Sequence, residues 1–174
     1  MKARNRFEAI GRSLIAGLAG TAAITLSTMI EAKLRGRPDS KTPSKVGGKV
    51  MGVQPRDPSG GKRFNQIVHW QYGTMWGLFL AVADELGLRG APASAAHFSA
   101  LWSTELVMLP AANAAEPITE WGAEEIAIDA MHHAIYAATA GMVYDLLAPK
   151  EEVFEPIGTI KRFAKNLVEN IELN

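Results

Sequence analysis

His69-Trp70-Gln71-Tyr72-Gly73-Thr74-Met75-Trp76-Gly77 lies within a run of twenty residues, 64–83, that carries no formal charge. Its pattern returns once. His133, Tyr136, Ala137 and Gly141 repeat the spacing H-x-x-Y-[GA]-x-x-x-G. One motif on two apolar segments predicts a chain built from two helical hairpins. Apolar residues go all round the helix that 64–86 would form, the pattern of a segment enclosed on every side. Trp70, Tyr72 and Trp76 cluster near one end of it, as aromatic residues do at a membrane–water interface. Gly73-x-x-x-Gly77 provides a face on which a second helix backbone approaches closely. A soluble core helix with aromatic packing is the competing reading. The lack of a single apolar stripe counts against it.

Outward from this segment the chain alternates apolar runs with concentrated charge. Residues 13–30 are free of charge and follow Lys2, Arg4, Arg6 and Arg12. Eighteen helical residues span about 27 Å, close to the hydrocarbon thickness of a bilayer. Ala16-x-x-x-Gly20 and Gly17-x-x-x-Thr21 are small-residue pairs of the same kind. A basic start before an apolar run also fits a signal peptide, but this run is long and lacks a convincing cleavage site before Glu31. Residues 33–63 hold nine bases against Asp39 and Asp57, with four prolines, and read as a basic extramembrane loop. Thr42-Pro43 has the form of a helix start, which Gly47-Gly48 weakens. A short turn at 86–92 makes the flanking helices antiparallel neighbours. A third apolar segment covers 93–112 and weakens at Pro110. Residues 116–125 hold four acids and no base, with a helical turn expected at 118–122. A fourth segment covers 125–147. In the tail, 149–174, Ile157, Ile160, Ala164, Leu167 and Ile171 share one face of an amphipathic helix.

The totals set limits. The chain has 174 residues, enough for one domain. Eighteen bases balance eighteen acids, which argues against a generic nucleic-acid partner. There is no cysteine, so disulfides, thiol catalysis and cysteine zinc sites are excluded. The mean hydropathy of +0.02 does not identify a membrane protein by itself, because the charge is so unevenly distributed. The bases divide nine against nine between the two sides of four spans, so the positive-inside rule gives no orientation.

Several polar residues fall inside these apolar segments. If the four cross alternately, Glu31, His69, Glu105, Asp129, His132 and His133 converge toward the side of the basic loop. His97, Asp84, Glu85 and Asp145 lie toward the other. Ionisable groups at such depth are costly and point by default to a site. Asp129 shares a helix face with both His132 and His133. The candidate polar, proton or ligand site is therefore His69, Tyr72, Glu105, Asp129, His132, His133 and Tyr136. Such a set carries a proton, because histidine titrates near neutrality, or binds a divalent metal through His69, His133, Asp129 and Glu105. Two histidines on different helices would also clamp a haem. Polar packing between helices explains the same residues more simply, with Glu105 paired to a histidine and His69 bonded to Tyr136 or a backbone carbonyl. No nucleophile motif, phosphate-cradling loop, di-iron pattern or complete metal signature is present. The helix-packing set is Gly17, Gly20, Gly73, Gly77, Ala137 and Gly141.

Taken together, G-L-A-G-T-A at 17–22, L-x-G-R-P at 34–38, H-W-x-Y-G-x-x-W-G at 69–77, R-G-A-P-A-S-A-A-H-F at 89–98, M-L-P at 108–110 and D-A-M-H-H-x-x-Y at 129–136 form a pattern. It resembles the YagU-like group of small bacterial inner-membrane proteins. The resemblance covers roughly 9–148. It implies a helical multi-pass protein of the bacterial inner (plasma) membrane and supplies no catalytic residues.

The expected fold is all-α: a four-helix transmembrane bundle of two repeated antiparallel hairpins in 1–148, with spans at 13–31, 64–86, 93–112 and 125–147, followed by the amphipathic tail. The expected function is a non-enzymatic structural or interaction role in the membrane, without a cofactor. Its partners would be the lipid bilayer and a second copy of the chain. The alternatives are a proton- or small-solute-handling protein using the His–carboxylate layer, and a metal- or haem-binding helical bundle.

Overall fold

The computed structural model describes residues 3–38, 40–53 and 55–149, with side chains from Arg6 onward. The amphipathic helix expected in the tail lies outside them from residue 150. All regular structure among the described residues is helical: α1 (Ala3–Arg35), α2 (Thr42–Met51), α3 (Pro58–Trp76), α4 (Leu78–Glu85), α5 (Gly90–Ala111), a short 3₁₀ turn (Ile118–Glu120) and α6 (Ala123–Leu146).

Local chemistry sets the ends. Lys33 and Arg35 sit in the last turn of α1, where cations complement the helix dipole. Gly36, at φ 64°, then turns the chain so that the Arg37 N–H reaches back to the Ala32 carbonyl at 3.0 Å. Asp57 caps α3 by accepting the Gly60 N–H at 2.8 Å, with Pro58 at the first helical position. Glu124 and Glu125 open α6. The expected turn at 118–122 is the 3₁₀ helix. Pro110 does not end α5, which closes one residue later at Ala111.

Two elements differ from expectation for physical reasons. The basic segment 33–63 contains a formed helix, α2. Of its two glycines, expected to weaken it, Gly47 lets it dock on α3 and Gly48 leaves room for the turn that ends it. A methyl on Gly47 would meet Val68 at 2.7 Å, and one on Gly48 would meet the Val53 carbonyl at 2.8 Å. The segment expected at 64–86 begins earlier, at Pro58, and breaks at Gly77. There the Gly77 N–H bonds to Thr74 (3.1 Å) and the Leu80 N–H to Gly77 (2.9 Å), so the chain tightens into a 3₁₀ step. The Gly73 carbonyl receives the Tyr136 hydroxyl from α6 at 2.6 Å.

Helix α1 packs along α6 and along α3–α4, and α5 closes against α6 and α4. The core between them is small-residue rich: Ala16, Ala83, Ala93, Ala137 and Ala140 beside Leu80, Leu101, Tyr136 and Tyr144. The glycines predicted to pack helices do so inside this chain. A methyl on Gly17 would lie 2.9 Å from the Gly77 Cα, and one on Gly20 2.8 Å from the Tyr136 ring. Gly73 abuts Thr21, and Gly141 abuts Ser94. Thus the first motif seats Gly73 and Gly77 on α1 and the second seats Gly141 on α5, each on the preceding long helix.

One helix, over Arg6–Arg35, is long and apolar enough to cross a membrane; its best window has a mean hydropathy of 1.6 and is 28% buried. The other three expected spans do not qualify by that measure. His, Asp and Glu lower the hydropathy of α5 and α6, Lys62 and Arg63 that of α3, and the break at Gly77 leaves α4 only eight residues.

Candidate functional site

Where α1 and α5 finish and α3 and α6 begin, three histidines tie different helices together. On α3, His69 Nε2 lies 2.9 Å from Thr25 Oγ1 of α1. The Thr25 hydroxyl donates to the Thr21 carbonyl at 2.6 Å, so its hydrogen is already used and His69 Nε2–H is the donor. On α6, His132 Nδ1 lies 2.7 Å from the Ser27 hydroxyl of α1. Next to it, His133 Nε2 lies 2.8 Å from Glu105 Oε2 of α5, and His133 Nδ1–H donates to the Asp129 carbonyl at 2.8 Å. The Asp129 carboxylate is 3.5 Å from the same ring and accepts the Trp102 indole N–H at 2.8 Å.

The His133 geometry has a chemical consequence. Nδ1 must be protonated to meet a carbonyl. The contact at Nε2 then needs either an imidazolium facing a carboxylate or a neutral ring facing a protonated Glu105. Either way His133 and Glu105 hold one proton between them.

The same layer reaches its rim at Glu31. This buried carboxylate takes the Arg37 Nε–H at 2.9 Å to each oxygen and faces Arg35 at 3.5 Å. The bond to Glu31 raises the Arg37 guanidinium above its ordinary value. His132 Nε2 stands 3.9 Å from Glu31 Oε2, buried and without a hydrogen bond. The Tyr72 hydroxyl is likewise buried and unbonded.

The opposite end carries a second cluster. Asp84, 8% exposed, faces Arg89 Nε at 2.5 Å and Arg12 Nη2 at 3.6 Å, and accepts the Tyr144 hydroxyl at 3.1 Å. Arg12 also lies over the Tyr144 ring, 4.9 Å from its centre. Between the two ends His97 is fully buried. Its ring stacks on Phe79 at 5.2 Å and meets Tyr136 edge-on at 5.4 Å.

The structure therefore brings together most of the residues singled out from sequence, in pairs. His133, Glu105 and Asp129 meet directly, and His132 approaches Glu31. His69 is not in the same set; it belongs to Thr25. Tyr136 reaches the Gly73 carbonyl, not His69. Among the described residues no group of three or more His, Asp or Glu side chains is arranged to hold a metal ion. A haem clamp would need two histidines of different helices, and here His69, His132 and His133 are bonded to Thr25, Ser27 and Glu105. Sequence reasoning missed Thr25, Ser27, Trp102 and Arg37, and gave Asp84 no role. Arg12 and Arg89, cations bordering the apolar runs, were the available signal for Asp84.

Comparison of the chain with protein-family models, with curated proteins and with solved structures finds no match.

Proposed function

We propose that the chain is an integral membrane protein whose four long helical segments cross the bilayer as two repeated hairpins, and that its polar layer holds those helices in register. The YagU-like resemblance and a bacterial inner-membrane location belong to this reading. The observation that carries it is the distribution of exposed charge. Over 11–32 of α1, 64–84 of α3–α4, 90–111 of α5 and 126–144 of α6, no Asp, Glu, Lys or Arg side chain is exposed. The exposed side chains there are instead apolar, among them Leu18, Leu26, Met29, Ile67, Met75, Val82, Val107, Met131 and Met142, or uncharged and polar, Gln66, Gln71, Ser99, Ser103 and Thr104. The hydroxyls of Ser99 and Thr104 donate to carbonyls one turn back, at 2.9 and 2.7 Å, which satisfies them in lipid. Within these stretches the ionisable residues of α5 and α6, His97, Glu105, Asp129, His132 and His133, are buried or partly buried, while Glu124, Glu125 and Asp145 lie exposed at the ends of α6.

Register is the role that fits the polar layer, because every histidine in it bonds across helices. Interhelical hydrogen bonds of this kind are worth about 0.6–2 kcal/mol each in membranes. The unbonded His132 Nε2 beside Glu31, and the unbonded Tyr72 hydroxyl, favour a second reading in which the same layer passes a proton or small solute.

Fractionation with an alkaline carbonate wash tests the membrane reading. Retention in the washed pellet, with release only by detergent, is the expected result. Release by the wash alone contradicts it.

A further inference from the structure

We propose that α2 and the segments flanking it form a docking surface for the headgroups of anionic phospholipids, a proposal that rests on the membrane reading above. Helix α2 crosses α3 and reaches the end of α5, where Lys49 Nζ lies 3.4 Å from the Ala111 carbonyl. It therefore lies at the end of the protein that borders the uncharged belt. Lys41, Lys45 and Lys49 recur every fourth residue and share one exposed face. Lys33, Arg56, Lys62 and Arg63 are exposed around them. Among the described residues no ion pair holds any of these seven. The acidic segment near the same end answers only Arg35, through Glu124 at 3.4 Å.

Exposed apolar side chains lie among the cations: Leu34 (81% exposed), Val50 (77%), Met51 and Val53. The inner face of α2, Val46 and Gly47, is already spent on α3. Cations beside outward apolar side chains, next to a charge-free belt, are the arrangement of a helix in the headgroup region. The apolar groups enter the acyl boundary while the ammonium groups meet phosphate. A shallow open depression of about 390 Å³ between α2 and the start of α3 has Ser44, Lys45 and Arg56 on its walls, together with the Asp57 carboxylate, which is engaged with Ser59 and the Gly60 N–H of the α3 cap. Among the described residues the bases of the far end are engaged: Arg6, Arg12 and Arg89 are ion-paired with Glu85 and Asp84.

The test uses the full chain, purified in detergent and reconstituted into vesicles of equal parts phosphatidylcholine and phosphatidylglycerol. Trace dansyl-phosphatidylglycerol or dansyl-phosphatidylcholine accepts energy from the tryptophans. Preferential transfer to the phosphatidylglycerol probe is expected, weakening by about fivefold in relative affinity for each engaged cation removed. The variant is Lys41→Gln, Lys45→Gln and Lys49→Gln together with Arg56→Gln. A salt titration of the unmodified chain reads the same preference without any substitution, and added salt should abolish it. Equal transfer to both probes from a carbonate-resistant chain overturns the lipid proposal and leaves the membrane reading standing. Release of the chain by carbonate overturns both.

Discussion

At one end of the molecule Asp84 is enclosed by Arg12, Arg89 and Tyr144; at the other, Glu31, Glu105 and Asp129 are spread among His69, His132 and His133. Both ends bury carboxylates, but by different means. The Asp84 cluster sets an anion against arginines that stay charged at any relevant pH. The histidine layer also holds Glu31 against Arg37 and Arg35, but it sets Glu105 and Asp129 against a titratable imidazole and leaves His132 Nε2 and the Tyr72 hydroxyl without hydrogen bonds. The first arrangement sets fixed charges against each other and serves to lock the ends of α1, α4 and α6. The second contains imidazoles that exchange protons near neutrality, which is why any activity beyond packing belongs to it.

Asp84→Ala should have the largest effect. It removes the Asp84 carboxylate from between Arg12 and Arg89 at a site where Arg12 is only 11% exposed. Loss of one member of a buried pair costs about 3–5 kcal/mol. Unfolding in mixed detergent should show a loss of that order, and a loss below about 1 kcal/mol would end the locking role.

His133→Phe comes next. It strands Glu105 and removes one cross-helix bond, a cost of about 1–3 kcal/mol. His133→Gln, which keeps a donor toward Glu105, should recover much of the stability if the role is packing. If stability returns but a proton or solute flux measured in reconstituted vesicles does not, the layer conducts.

His69→Phe should cost less than about 1 kcal/mol, since the Thr25 hydroxyl keeps its own bond to Thr21. A larger loss would mean that His69 acts together with Glu105 and His133 after all.

The smallest effect is expected away from both ends' buried clusters, at the cap of α3. The Ser59 hydroxyl and the Gly60 N–H hold the Asp57 carboxyl below its ordinary value. A carboxyl depressed in the folded state stabilises it above the ordinary carboxylate range and loses that effect as pH falls through its own lowered value. Protection of the first-turn amides of α3, taken relative to the intrinsic exchange rate at each pH, should therefore fall on acidification in the unmodified chain. In Asp57→Ala it should be low throughout and insensitive to this pH change.

Much of the packing was legible because four-residue spacing dictates which side chains share a helix face. Gly17, Gly20, Gly73, Gly77 and Gly141 could be assigned to contacts before any coordinates. The link between Glu105 and a histidine was legible as well, since a carboxylate at that depth needs a partner. The break at Gly77 was not. Gly73-x-x-x-Gly77 is equally compatible with an uninterrupted helix, and only the close approach of Gly17 and the waiting Tyr136 hydroxyl distinguish the two. Thr25 and Ser27 were hidden among many hydroxyl residues of α1. Asp84 next to Glu85 read as a polar helix end: Arg89 is five residues away across the turn, but nothing local shows that Arg12, distant in sequence, converges on the same carboxylate. Helix α2 was underrated for a related reason: glycine propensity argues against it, and contacts with Val68 and Phe64 override propensity.

The comparison of the two ends presupposes that lipid covers what lies between them, and this can be measured directly. The chain has no cysteine, so single cysteines can be placed at Ala22, Ser99 and Ala138 in the belt and at Ser59 and Glu116 outside it, all exposed on the protein surface. Intact membranes are treated with a water-soluble maleimide after opening both faces to the reagent. Labelling at Ser59 and Glu116, and protection of the three belt positions until detergent is added, is the predicted result. Labelling of Ala22, Ser99 and Ala138 at the same rate as Ser59, without detergent, would contradict the membrane-spanning account.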